Sequence, residues 1–188
     1  MSSDNSPIRT SLAQTTLTST EAALLGLLAD GEQSGYDLKR RVERSVGYFW
    51  APARSQIYAV LPRLVDAGLA RRRQVRQSSR PDKQLYRITQ DGRAALAAWL
   101  DAPVAAEPGH NVLLLKLFFG DHGDRAAMVE HVRARRRDAE QLKADLLEIE
   151  ARASHTPEDR FPALTRRYGL EYADALIRWA EWAEGQLA

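Results

Sequence analysis

Apolar residues along the chain recur at helical spacing, in runs cut by Gly, Pro and Ser/Thr clusters. The run from Thr18 to Ala29 opens on a Thr or Ser cap, carries Leu24, Leu25, Leu27 and Leu28, and stops at Asp30-Gly31. Ser34-Gly35 then caps a helix over roughly Tyr36–Val46, with Leu38 and Val42 inward and Lys39, Arg40, Arg41 and Arg44 mostly outward. A loop with Gly47 and Pro52 leads into Ser55–Ala67. There Ile57, Leu61, Leu64 and Val65 share one face with Val60 flanking it; Ser55 is placed as N-cap, and Gly68 where a left-handed stop is wanted. Left outward at the start of this third helix are Ser55, Gln56, Tyr58 and Ala59, groups suited to lying in a DNA groove.

After Gly68 the period shortens to two. Alternation over Arg71–Arg76 and Gln84–Thr89 predicts two strands, and the Ser, Pro and Asp of Gln77–Lys83 predict the turn between them. Thr89 caps a further helix, Asp91–Leu100, expected to pack Leu96, Trp99 and Leu100 back on the domain. Three helices, a hairpin and a closing helix make a winged helix-turn-helix.

Pro103–Gly109 is a Pro/Gly/Ala break and the expected boundary. Beyond it Val112–Phe119 is an apolar helix, too short to span a bilayer and expected to be buried against protein. Asp124–Ala153 places Met128, Val132, Arg135, Ala139, Leu142, Leu146, Ile149 and Ala153 at spacings of three and four, a heptad seam with one charged interruption. A break at His155–Pro157 precedes a last helix, Pro162–Gln186. One side of it carries Leu164, Tyr168, Tyr172, Ala175, Leu176, Trp179, Trp182 and Ala183. Two such helices should pair with each other and with a second copy of the chain. The expected organisation is mainly α: a flexible Ser/Thr-rich tail over 1–17 that is no signal peptide, a winged helix-turn-helix with a two-stranded wing over 18–103, and an α-helical dimerisation domain over 104–188.

Charge adds a functional asymmetry. Residues 18–103 hold 14 Lys and Arg against 9 Asp and Glu, whereas 104–188 hold 12 against 15. Arg71–Lys83 alone has six basic residues and one acid, so the hairpin tip must project into solvent or towards phosphate. Zero cysteines exclude disulfides and cysteine-ligated metal and fit a reducing cytoplasm, and no apolar run reaches a membrane span. His110, His122, His131 and His155 show no ligand spacing, so no metal site and no cofactor are expected. No phosphate loop, nucleophile elbow or carboxylate pair offers enzyme chemistry.

For base reading the candidates are Ser55, Gln56 and Tyr58. Gln suits adenine, while Ser and Tyr more often meet phosphate or thymine; Tyr58 could equally be a packing ring. Arg72, Arg73, Arg80 and Lys83 on the wing suit backbone phosphate or the minor groove, against the plain reading of a solvated hairpin. Tyr172, Trp179 and Trp182 could line an effector pocket, or form dimer core. Arg133–Arg137 reads as an exposed helix face answered by Asp138 and Glu140.

The strings LTSTEAALLGLLADGEQSGYDLKRRVE, SQIYAVLPRLVDAGLARRR and DKQLYRITQDGRAALAAWL resemble the PadR family of bacterial transcriptional regulators. The likeness is carried by the Gly35-Tyr36 pair, the IY and L-x-x-L-x-x-x-G-L of helix three, and the Y-R-I-T-x-x-G-R after the wing. The acidic helical tail is similar to the carboxy-terminal domain of the longer subfamily. The resemblance implies a homodimer that represses a nearby operon by binding double-stranded operator DNA and often releases it when a small molecule binds; it also suggests a phosphate contact for Tyr36, with a core position as the other reading. A winged-helix protein-interaction module without specific DNA binding is the alternative. Pro62 departs from a plain recognition helix, because it removes its own bond to the carbonyl of Tyr58.

Overall fold

The computed structural model describes residues 17–76, 83–104, 111–154 and 156–187. The expected tail (1–16), the wing turn (77–82) and most of the expected Pro/Gly break (105–110) lie outside them. The chain divides into two compact units, Met1–Lys39 with Pro52–Pro103 and Arg40–Ala51 with Val104–Ala188.

In the first unit, α1 (Ser19–Ala29) starts at a full capping box. Glu21 N–H donates to the Thr18 hydroxyl at 3.3 Å, and Thr18 N–H donates to Glu21 Oε2 at 2.9 Å. Strand β1 (Gln33–Ser34) leads straight into α2 (Gly35–Arg44), whose first turn is held by Asp37 N–H donating to the Ser34 hydroxyl. Helix α3 (Arg54–Asp66) ends in a Schellman motif: Gly68 sits at φ 73°, with Leu69 N–H on the Leu64 carbonyl and Gly68 N–H on that of Val65. The core is the one that helical spacing predicts. Leu24, Leu25 and Leu28 of α1, Leu38 of α2, and Ile57, Leu61 and Leu64 of α3 are all fully buried. Leu17, assigned to the tail, is buried with them at 5% exposure.

Strands β2 (Ala70–Val75) and β3 (Lys83–Ile88) form the antiparallel wing in the register Ala70↔Ile88 to Val75↔Lys83. The two-residue β1 pairs with the other edge of β3, a third strand too short for any sequence period to reveal. Thr89 caps α4 (Gln90–Asp101) by accepting from Gly92 N–H at 3.0 Å. Only the start of α4 faces inward, through Gly92 and half-buried Ala95 and Leu96. Trp99 and Leu100, expected to pack back on the domain, continue the stripe of Gly92, Ala95 and Leu96 at i+7 and i+8 yet are 37% and 65% exposed, so it is the end of the helix and not its face that is left uncovered.

In the second unit, α5 (Val112–Phe118) is followed by a 3₁₀ turn at Gly120–His122, by α6 (Arg125–Ala151), a 3₁₀ turn at Pro157–Asp159, and α7 (Arg160–Leu187). Every position of the expected α6 seam from Met128 to Ala153 is buried or half-buried. Helix α7 turns only part of the expected line inward within the chain: Ala183 is buried and Leu176 and Trp179 half-buried, beside Arg166, Gly169, Ala173 and Ala180, while Leu164, Tyr168 and Trp182 are more than 60% exposed. Small residues let the α6 and α7 backbones approach: a Cβ on Gly169 would lie 2.7 Å from Leu146 Cδ1 and 3.1 Å from Tyr48 Cε2. Helix α5, expected to be buried against protein, is half-buried within the chain through Leu113 and Leu117, and Val112, Leu114, Leu115 and Phe118 stand exposed.

Candidate nucleic-acid interface

The first turn of α3 differs in one detail from its sequence reading. The N-cap is Ala53, so Ser55 lies inside the helix and cannot cap it. Gln56 does the capping from the third position, accepting from Ala53 N–H at 3.0 Å through Oε1. With Ile57, Val60, Leu61 and Leu64 buried, the opposite line of the helix is Ser55, Ala59 and Pro62, all small and exposed. The helix continues unbroken through Pro62. Tyr58, 42% exposed, is seated by its ring on Gly35 at the start of α2, where a Cβ would lie 2.8 Å from Cε1. The Arg54 guanidinium stands over the Tyr58 ring, 5.5 Å from its centroid. Tyr36, in the first turn of α2, is 56% exposed.

The wing's register separates its arginines. Arg72 lies opposite Tyr86 and Arg73 opposite Leu85, so these neighbours point to opposite faces of the ribbon. Arg73 is tied to Glu32, with Nη2 2.5 Å from Oε2 and Nε donating to Oε1 at 3.2 Å, and it holds the Glu32 carboxyl below the usual carboxylate range. Lys83 pairs with Asp37 at 2.9 Å; the Ser34 hydroxyl and Lys83 together hold the Asp37 carboxyl down. Two candidate phosphate contacts therefore also tie the wing to the α1–α2 turn and to α2. Arg80 lies outside the described residues. Arg71 and Arg87 sit directly opposite each other, both exposed, on the face that carries Arg73. Sequence reading missed this pair because only the register brings the two together. It also missed Arg54, since a helix begun at Ser55 leaves Arg54 in the loop; the spacing of Ala53 to Gln56 was the available signal.

In the second unit the three aromatic candidates separate. Trp179 is half-buried against Val132, Ala180 and Ala183, whereas Trp182 is 62% exposed. Tyr172 stacks on Tyr168 with centroids 6.4 Å apart, and its hydroxyl accepts from Arg135 at 3.0 Å. A groove of about 230 Å³ between α5 and α6 is lined by Val112, Leu113, Lys116, His131, Ala134, Arg135 and Asp138. In it the Lys116 ammonium lies 3.3 Å from His131 Nε2. The run Arg133–Arg137 is answered mostly by Glu184 and Glu130, with Glu140 at 3.6 Å from Arg136. Among the described residues no three His, Asp or Glu gather as a metal site, and no helix is long and apolar enough to cross a membrane.

Residues 24–98 match the family model described as transcriptional regulator PadR-like, and residues 110–188 the one described as virulence activator alpha C-term. The chain is 32% identical over 174 residues to the probable transcriptional regulator Rv1176c of Mycobacterium tuberculosis, covering 85% of this chain and 92% of that protein. It is 40% identical over 78 residues to the negative transcriptional regulator PadR of Bacillus subtilis, 42% of this chain and 43% of that one. The crystal structure of Bacillus subtilis PadR in complex with operator DNA is similar with a TM-score of 0.77 at 26% identity, over 89% of this chain and 98% of that chain. The same protein in complex with p-coumaric acid is similar with a TM-score of 0.69 at 25% identity, over 89% and 94%.

Proposed function

We propose that this chain, which belongs to the PadR family of transcriptional regulators, acts as a cytoplasmic homodimeric repressor that binds double-stranded operator DNA and responds to a small-molecule effector. The exposed start of α3, with its line of small side chains, carries the reading: it is the end that a recognition helix places in the major groove. Ser55, Gln56 and Tyr58 are assigned to base edges, and Tyr36 with Arg72, Arg73, Arg80 and Lys83 to the phosphate backbone. Repression follows the name of the Bacillus relative and the family's habit. The exposed apolar residues of α5, and Phe161, Leu164, Tyr168 and Trp182 of α7, are the surfaces a second copy would cover. The effector is assigned to the second unit. Trp179 is half-buried while Trp182 stands exposed, so its seat is assigned to the α5–α6 groove, with Tyr172 reached through Arg135.

The test is binding of the purified protein to its own upstream DNA at two salt concentrations, with random duplex as competitor. Specific binding should weaken by about 0.9 log units per log unit of salt for each phosphate neutralised. Arg72→Ala should weaken all sequences alike. Absence of binding at either salt, with a protein partner recovered in its place, would favour the docking-module alternative.

A further inference from the structure

Reading a G·C pair in the major groove takes two donors in one plane, held in a fixed direction; arginine on guanine O6 and N7 is the commonest such contact. Arg54 is the first residue of α3 and is exposed. Its guanidinium lies over the ring of Tyr58, one helical turn on, and that ring rests on Gly35, where even a methyl group would collide. Backbone, ring and guanidinium thus form a stack that narrows the directions the fork can take before DNA arrives.

The neighbouring side chains are less able to read a base pair with two bonds. Ser55 is short, and Ala59 offers no polar atom. Gln56 has committed Oε1 to the N–H of Ala53. Its amide can still donate, but the paired donor and acceptor that adenine requires are available only if the cap opens. The smallness of Ser55 and Ala59 has its own use, since it lets the helix sink until the longer Arg54 on its flank reaches base edges.

We propose that Arg54 is the guanine-reading residue of this protein, with Tyr58 as its platform and Gly35 and Gln56 as positioning residues. The assignment rests on the DNA-binding reading above; it moves Gln56 and Tyr58 from base contacts to the support of Arg54 and adds a specific base and a specific atom pair.

The test uses the full-length protein and its own upstream operator, with every base pair substituted singly and affinity read by fluorescence anisotropy at fixed salt. Wild type should show a strong guanine preference at one position of the recognition site. Arg54→Gln should lose roughly 5- to 150-fold of the discrimination at that position and leave the others intact. Arg54→Lys keeps the charge and can still donate to guanine but lacks the planar fork that stacks on Tyr58, so it should weaken the same preference only in part, with an unchanged salt slope. Tyr58→Leu and Gly35→Ala should blunt the preference at the same position. The Arg54 variants decide the matter alone if either of these fails to fold, because Arg54 is exposed. An equal loss for all sequences in Arg54→Gln would make it a phosphate contact and overturn the proposal, as would an Arg54→Gln variant that keeps the full guanine preference. A wild type without any sequence preference would instead overturn the DNA-reading function itself.

Discussion

Among the described residues of the second unit Arg166 is the buried charge, and its replacement tests what holds the turn after α6 onto α7. Its side chain is 6% exposed; Nη1 and Nη2 meet the two oxygens of Asp159 at 3.0 and 2.6 Å, and Nε donates to Glu150 Oε2 at 2.5 Å. These carboxylates, Asp159 first, push its pKa further up, so it is charged at every accessible pH. Arg166→Met keeps much of the volume but takes from Asp159, 14% exposed, the guanidinium that both its oxygens meet. Breaking a buried pair from one side costs about 3 to 5 kcal/mol. Glu150, 40% exposed, can turn to water, so its arm adds little and the lower end applies: about 3 kcal/mol. For a unit of this size that lowers the melting temperature by more than about 10 °C. Denaturant unfolding of Arg166→Met, Asp159→Asn and the double variant closes a thermodynamic cycle. Asp159→Asn should restore much of the loss in the Arg166→Met background, because it removes the carboxylate whose guanidinium has gone. A loss below about 1 kcal/mol, or a double variant no better than Arg166→Met, would refute a buried ion pair as the clasp.

Three further outcomes are expected. The Asp37 carboxyl is held below its ordinary range when folded, so its contribution is complete above that range and lost as pH falls through the depressed value. The melting-temperature gap between wild type and Asp37→Asn should therefore narrow on acidification below the usual carboxylate range; a constant gap would show that the Lys83 pair is irrelevant to it. Arg87→Gln relieves the like-charge pair with Arg71, and should raise stability by about 0.2 to 1 kcal/mol while weakening DNA binding equally for all sequences. If it loses stability and keeps full DNA affinity, that strand face is not a phosphate surface. In α7, Gly169→Ala should cost about 1 to 3 kcal/mol through its clash with Leu146 and Tyr48. Gly185→Ala, with nothing within 4 Å, should gain about 0.5 to 1 kcal/mol from helix propensity. Equal effects at the two glycines, read by urea unfolding, would rule out close helix packing as the cause.

What was legible in the sequence divides along physical lines. Helix period, caps and stops are local, and they located α1, α2, α3, α4 and α6 to within a few residues, with Gly68 at a positive φ as its spacing required. The winged helix-turn-helix followed, because it is a chain-ordered set of such local signals. Errors arose where two faces of one helix were both apolar. In α7 the large aromatics drew the expected seam, yet the face that meets α6 is Gly169, Ala173, Ala180 and Ala183, since close packing rewards small side chains that a hydrophobicity pattern scores as weak. The displaced aromatics and the exposed leucines of α5 lie where a single chain leaves apolar surface unburied. The candidate DNA face shows the same division. Ser55, Gln56 and Tyr58 were recognisable as exposed positions, because exposure follows from the helix period. Whether each is free to act depended on partners far from it in sequence or set by a cap: Gln56 on Ala53, Tyr58 on Gly35, Arg73 on Glu32 and Lys83 on Asp37. Only the folded register turns a list of exposed polar residues into donors with a direction. That is how Arg54, absent from the list, comes to be proposed as the guanine reader, its guanidinium over the Tyr58 ring.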